Sequence, residues 1–399
     1  MEASNRSKDW MNRNVLGTGL TSLFSDMGHE MITSMLPGIL ASLGAPAIAL
    51  GVVEGVSDLA SSVLKFWAGW FTDQPSGRPY RKAIVVTGYL ATAFKAAIAF
   101  ATTWPQVLVI RILGWAGRGA RGPLRDAILT DSVTPVTYGR AFGFHRSMDT
   151  LGAIVGPLLV ALLLPRLGLT NILMLSLVPG LLSVLSFWGL VTDRHAEITR
   201  SHPFLKAASH LPRSFLVYVA TVGVFGLGNF AHTFLILRAT EVLTPQIGAV
   251  RAAATAIGLY TLHNVLYAAG SFPIGILADR IGKRGLLAVG YALFALMAVG
   301  FATLKLTLGT LIPLFVLAGL YIGIVDATEP SLAAELMPED SRGAGFGLLG
   351  GVNGFGDLVA SVVVGFIWTR WSPSAAFWYA AVVTGLGGVA LYATRPRRA

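Results

Sequence analysis

Most groups in this sequence that could move a proton or hold a charge stand inside apolar stretches. Asp26, His29 and Glu30 interrupt "LTSLFSDMGHEMITSML". An ionisable group at the centre of such a stretch costs about 2.5–3.5 kcal/mol on insertion scales and is kept where it is used. Helical phase sets Asp26 and Glu30 about 40° apart, with His29 about 60° from Asp26. Burial raises and a nearby arginine lowers a carboxyl's proton affinity, so its load changes with its surroundings. Asp26 and Glu30 are therefore the candidate proton-coupling groups. Arg111, Arg118 and Arg125 share a helix face, flanked by Arg121, and guanidinium suits carboxylate and phosphate. Asn229-x-x-His232 repeats Asp26-x-x-His29 at an offset of 203, and His263 and Asn264 add polar surface. Asp326 and Glu329 share a face, as do Glu54, Asp58, Ser61 and Lys65, and Asn353 and Asp357 follow. The candidate substrate-binding set is His29, Arg118, Asn229, His232, His263, Asn264, Asp326 and Glu329. The competing reading is that these charges, nearly balanced in sign, neutralise one another as ion pairs between helices.

Other chemistries find less support. The chain has no cysteine, which removes disulfides, thiolate catalysis and cysteine metal sites. Met27, Met31 and Met35 would suit a soft cation. They occupy a helix sector of about 80°, however, while His29 lies near 200°, and flexible core filling accounts for them. No nucleophile–base or metal-ligand spacing stands out, so the expectation is no enzyme, no metal and no cofactor. The formal charge of +10 sits mostly in short loops and termini and requires no nucleic acid partner.

These groups must be positioned by membrane-spanning helices. Of 399 residues, 54% are hydrophobic and 13% charged, against roughly a quarter charged in soluble domains. Apolar runs of about 20 residues each span a ~30 Å hydrocarbon core as helices, and runs such as "GAIVGPLLVALLLP" lack the alternation a barrel needs. Spans are expected near 14–42, 47–72, 83–103, 107–131, 140–165, 170–192, 213–241, 250–278, 285–304, 310–337, 342–369 and 374–394. The first is too long and too charged for a cleaved signal. Basic residues concentrate at both termini, at 78–82, at 194–213 and at 280–284, which places both termini in the cytoplasm.

An internal duplication is visible. Gly69 to Asp73 (GWFTD) returns as Gly275 to Asp279 (GILAD), an offset of 206, and "ALG" at 49–51 returns as "AIG" at 256–258. "GRAFG" at 139–143 returns as "GAGFG" at 343–347, and Pro135 matches Pro338. The domains expected are 1–192, a six-helix bundle; 193–212, a cytoplasmic linker; and 213–399, a second six-helix bundle. Parallel repeats place a solute site between the halves near the bilayer midplane.

"GILADRIGKR" at 275–284 resembles the signature loop of the major facilitator superfamily, Gly-x-Leu-Ala-Asp-Arg-x-Gly-Arg-Lys. Glycine permits close helix approach, and the aspartate accepts charge-assisted hydrogen bonds. The resemblance covers the whole chain and implies an all-α membrane protein with twelve transmembrane helices in two pseudo-symmetric bundles, usually monomeric. It implies gating roles for Gly69, Asp73, Gly275, Asp279, Arg280, Gly282, Lys283 and Arg284, latching the halves on the inner side. The first-half copy lacks the Arg after Asp73 and carries "QPSGRPYRK" instead, so its latch is differently partnered. Gly152-Ala-Ile-Val-Gly156-Pro157 resembles the Gly-Pro motif of the family's proton antiporters, without its trailing glycines.

The expected function is secondary active transport of a small organic solute across the inner membrane by alternating access, coupled to protons and directed outward. No Gly-x-x-x-x-Gly-Lys-Ser/Thr loop is present to bind nucleotide, so the energy comes from an ion or the solute itself. The alternatives are uptake of an organic anion, transport of a transition metal, and a non-transporting membrane sensor or membrane-embedded enzyme.

Overall fold

A computed structural model describes residues 10–72, 78–193, 211–338 and 342–394. The described residues form thirteen α-helices and no strand: α1 (Arg13–Ser42), α2 (Ala47–Thr72), α3 (Arg81–Ala93), α4 (Trp104–Asp131), α5 (Tyr138–Leu175), α6 (Leu177–Leu190), α7 (Arg213–Gly226), α8 (Thr233–Ile247), α9 (Ala249–Ile281), α10 (Lys283–Thr303), α11 (Leu308–Leu336), α12 (Arg342–Arg370) and α13 (Pro373–Ala393). They make the twelve crossings expected, with three local departures.

The third crossing tightens into a 3₁₀ helix over Phe94–Phe100. The fifth and sixth run on as one stretch, broken at Gly168, whose φ of 74° and ψ of 169° suit glycine and end the helical ladder. The seventh, expected unbroken over 213–241, is split into α7 and α8 by a turn at 227–232. That turn stays satisfied inside the protein: Tyr379 donates to the Leu227 carbonyl at 2.8 Å, and the Ala231 amide donates to Ser361 Oγ at 3.1 Å. Irregular backbone at membrane depth is tolerated only under such conditions.

Seven helical stretches are long and apolar enough to cross a membrane by length and composition. Outside that set stand α1, α4, the split α7–α8 and α9, which carry the buried polar residues singled out above or are interrupted.

The chain divides into two compact units. One comprises Met1–Ile39 and Ala60–Ser201; the other comprises Leu40–Leu59 and His202–Ala399. In the first unit, glycines let helices meet backbone to backbone. A Cβ on Gly88 would lie 2.5 Å from the Gly117 carbonyl, and one on Gly119 would lie 2.1 Å from the Ser61 carbonyl. In the second, a Cβ on Gly51 would lie 2.1 Å from the Ser361 carbonyl, and Ile48 N–H donates to Thr369 Oγ1 at 2.9 Å. This close fit against α12 explains why 40–59 groups with the second unit. The second unit's core is aromatic: Phe225 stacks on Tyr291 at 3.7 Å between centroids, Phe301 on Phe377 at 4.9 Å, and Phe230 meets Phe294 edge-on at 5.6 Å.

Candidate functional site

In the first unit, α5 presses onto one turn of α1. A Cβ on Gly152 would lie 2.4 Å from the Leu23 carbonyl, and one on Gly156 would lie 2.5 Å from the Met27 carbonyl and 3.3 Å from Glu30 Cβ. The Gly-Pro motif is thus the contact that seats α5 beside Asp26 and Glu30. From α4, Arg118 donates both arms of its fork to Asp26, Nη1 to Oδ1 at 2.7 Å and Nη2 to Oδ2 at 3.4 Å. Asp26 is 7% exposed in its side chain and Arg118 29%, so one partner is sunk and the other reaches an open edge.

The neighbouring cations have other partners. Arg121 donates to Ser25 Oγ at 2.8 Å and to Thr92 Oγ1, with its guanidinium 4.1 Å from the Tyr89 ring centroid. Arg111, fully buried, donates to Thr33 Oγ1 at 3.2 Å. Arg111 and Arg118 both lie over the Trp115 ring, 5.6 and 5.7 Å from its centroid, within cation–π range. His29 meets Lys95 Nζ through Nδ1, and its Nε2 lies 3.9 Å from Glu30 Oε1. Arg125 turns away to Asp126 at 2.8 Å. Asp149 of α5 accepts from Ser22 Oγ at 2.7 Å. The cluster sets Lys95, Arg111, Arg118 and Arg121 against Asp26, Glu30 and Asp149.

In the second unit, a chain of uncharged side chains ending on a carboxylate occupies the matching place. His232 Nε2 hydrogen-bonds Tyr321 OH at 2.6 Å, and Tyr321 OH donates to Asn229 Oδ1 at 3.3 Å. Asn229 Nδ2 reaches Asp357 Oδ1 at 3.5 Å. Asn353 donates to Glu329 Oε1 at 2.6 Å, and Tyr267 OH donates to Asp326 Oδ2 at 2.7 Å. Asn229, His232, Asp326, Glu329, Asn353 and Asp357 line a cavity of about 240 Å³, with Phe225, Phe230 and Asp58 also in its wall. No lysine or arginine is among its lining residues. The turn between α7 and α8 is what delivers Asn229 and His232 to this cavity. His263 and Asn264 stand behind it: His263 packs its ring 4.8 Å from that of His232 and bonds Asn264 at 3.0 Å.

The Major Facilitator Superfamily profile matches residues 18–259 and 241–399. An MFS-type transporter of Methanocaldococcus jannaschii is 31% identical over 394 residues, covering 98% of this chain and 97% of that protein. The chain belongs to the major facilitator superfamily. It is a multi-pass membrane protein and a secondary transporter of small molecules, with the superfamily's twelve helices in two six-helix bundles. The multidrug resistance protein MdtH of Cronobacter sakazakii is 27% identical over 323 residues, 77% of this chain and 75% of that protein. A crystal structure of a mutant of the nucleoside transporter NupG superposes with a TM-score of 0.83 at 13% identity, covering 96% of this chain and 100% of that one; at that identity the likeness concerns the fold.

The superfamily's loop motif has its structural counterpart here. Gly282, at φ 97°, makes the turn from α9 into α10, a conformation that favours glycine. Lys283 bonds Glu335 at the end of α11 at 2.5 Å and lies 3.6 Å from Asp279. Arg284 donates to the Thr394 carbonyl past α13 at 2.5 Å. Arg280 and Asp279 are exposed at the end of α9, and Gly275 lies a turn earlier. In the first unit, Arg81 bonds Asp131 at the end of α4 at 2.8 Å and Asp193 past α6 at 2.5 Å. Basic residues at the start of the third helix thus tie the ends of the fourth and sixth in both units, Arg81 alone in the first and Lys283 with Arg284 in the second. Gly69 lies in α2; Asp73 lies outside the described residues.

The structure therefore gathers Asp26, His29, Glu30 and Arg118 into one cluster, and Asn229, His232, Asp326 and Glu329 into one cavity. His263 and Asn264 stay in a second layer. Met31 and Met35 are buried in the core. Sequence reasoning missed Lys95, Trp115, Asp149 and Tyr321. Lys95 carried the plainest signal, a lone lysine within "ATAFKAAIAF". Tyr321 stands 203 residues after Arg118, the offset that already related Asp26 to Asn229.

Proposed function

We propose that this chain exports a small organic solute across the inner membrane, exchanging it for protons by alternating access. It works as a monomer with both termini in the cytoplasm. The observation that carries the reading is the two-armed Asp26–Arg118 pair, seated by the Gly152–Gly156 contact. A proton on Asp26 removes the charge that holds the fork of Arg118, and a solute group that engages Arg118 competes for that same fork. Two ligands acting on one ion pair must change each other's affinity, which is the requirement for coupling. His29, Asn229, His232, Asp326 and Glu329 provide further solute contacts, with His263 and Asn264 supporting His232. The ties at Lys283, Arg284 and Arg81 brace helix ends, and Gly69, Asp73, Gly275, Asp279, Arg280 and Gly282 belong to the gate. The outward direction is supported by the Gly-Pro contact and by similarity to MdtH.

A second reading is uptake of an organic anion. The excess of guanidinium and ammonium over carboxylate around Trp115 favours it, because buried cations call for an anionic partner.

The test is flux in sealed proteoliposomes, using panels of aromatic carboxylates and of hydrophobic amines under pH gradients of either sign. Export coupling predicts that protein-dependent movement runs against proton flow and reverses when the gradient is inverted. Movement with the protons, confined to carboxylates, would favour anion uptake. Flux indifferent to the gradient would remove proton coupling altogether.

A further inference from the structure

Lys95 is fully buried, and the structure builds a slot for it. Its stem lies over Gly114 of α4, where a Cβ would come within 2.4 Å of Lys95 Cγ and 2.5 Å of Cδ. The 3₁₀ stretch that begins at Phe94 sends its ammonium nitrogen to Nδ1 of His29, whose ring packs edge-on against Trp115 at 4.9 Å. The charges facing this pair come from two helices: Glu30 on α1, and Arg111, Arg118 and Arg121 on α4; Asp26 on α1 is held by Arg118. On α5 the closest-placed acid, Asp149, is engaged by Ser22, and α6 carries no charged residue.

Within such a hydrogen bond one nitrogen must accept, so ammonium and imidazolium cannot both be present. The pair therefore carries either one positive charge or none. Arginine keeps its charge in proteins, whereas a buried lysine can give up its proton. Among the three guanidiniums and the Glu30 carboxylate that face them, Lys95 and His29 are the basic groups able to change charge. Glu30 leads outward from them: its side chain is 16% exposed against 3% for His29, and it lies 3.9 Å from His29 Nε2.

We propose that Lys95 and His29 form an internal proton store, loaded and emptied through Glu30. The loading step breaks no bond other than an N–H or O–H: a proton passes from water to the Glu30 carboxylate, to His29 Nε2, and the pair gains one charge as Nδ1 yields its proton toward Lys95. The proposal deepens the proton-coupled reading above by naming a second proton-carrying group beside Asp26.

The test needs no transported solute. Full-length protein in nanodiscs, labelled with ¹³Cε-lysine, is followed by NMR from about pH 5 to about pH 9, where histidine-linked groups change charge. One lysine resonance, absent from Lys95→Arg, is expected to move between its ammonium and amine positions. His29→Gln is expected to displace the midpoint of that movement, and Glu30→Gln to slow the exchange between the two forms. A Lys95 resonance that stays fixed across the range overturns the store, and a midpoint unmoved in His29→Gln overturns the pairing. Should Lys95→Arg fail to fold, Lys95→Met supplies the assignment. Proton-driven flux missing from the unmodified protein would sink the coupling reading, whereas a fixed Lys95 resonance with that flux intact would sink this inference alone.

Discussion

The two units solve the same packing problem with opposite electrostatics. At positions 203 residues apart, Asp26 and Arg118 make a charged pair in the first unit, while Asn229 and Tyr321 make a neutral one in the second. His29 and His232 keep their type, yet the former meets a lysine and the latter a tyrosine. Asp149 and Asn353 stand 204 residues apart, one bonded to a serine and the other to Glu329. The first unit is rich in guanidinium around Trp115; the second has a cavity walled by Asp58, Asp326, Glu329 and Asp357. A duplicated scaffold thus fixes where polar groups stand and leaves their charge free to differ.

That contrast can be broken by substitution. The largest effect is expected at the shared foundation: Gly152→Val forces a side chain against the Leu23 carbonyl. Overpacking of a contact that cannot yield should cost about 3 kcal/mol or more, read as loss of monodisperse protein by size-exclusion chromatography. Next, Arg118→Ala leaves Asp26 without its fork. Removing one partner of a buried ion pair costs about 3–5 kcal/mol, toward the lower end here because Arg118 reaches an open edge. Thermal unfolding in detergent should fall accordingly, and pairing Arg118→Ala with Asp26→Asn should recover part of the loss. No recovery in that double variant would mean that the charge pair is not what holds α1 to α4.

Asp26→Asn and Glu30→Gln each keep shape and remove charge. Both should fold, and at least one should abolish pH-gradient-driven flux; full drive in both variants would remove the proton role of α1. The smallest effect is expected in the second unit, where Tyr321→Phe deletes a neutral hydroxyl bonded to His232 and Asn229. A cost of about 1–2 kcal/mol is expected, well below that of Arg118→Ala at the repeat-related position. Equal losses at the two positions would erase the distinction drawn between the units.

The sequence was most informative about elements. Runs of apolar residues placed the crossings within a few residues, because a bilayer demands continuous apolar length from each helix. The repeat offset of 203 pairs Asp26 with Asn229 and His29 with His232. Partner choice was less legible. Arg111, Arg118 and Arg125 share a helical face, yet they end on Thr33, Asp26 and Asp126, and helical phase alone does not reveal which neighbour comes within reach. The turn at 227–232 was hidden because "FGLGNFAH" is apolar enough to read as uninterrupted helix. Its cause lies in other helices: the hydroxyls of Tyr379 and Ser361 stabilise the opened backbone, and neither is a neighbour in sequence.

The buried arginines of α4 also constrain how the protein is made. Alone in a bilayer, a helix bearing Arg111, Arg118, Arg121 and Arg125 faces roughly 10 kcal/mol or more of insertion penalty from those side chains. Asp26 on α1 and Thr92 on α3 are what lighten it, and both precede α4 in the chain. The helices that shield these arginines therefore stand earlier in the chain and are synthesised before α4 itself.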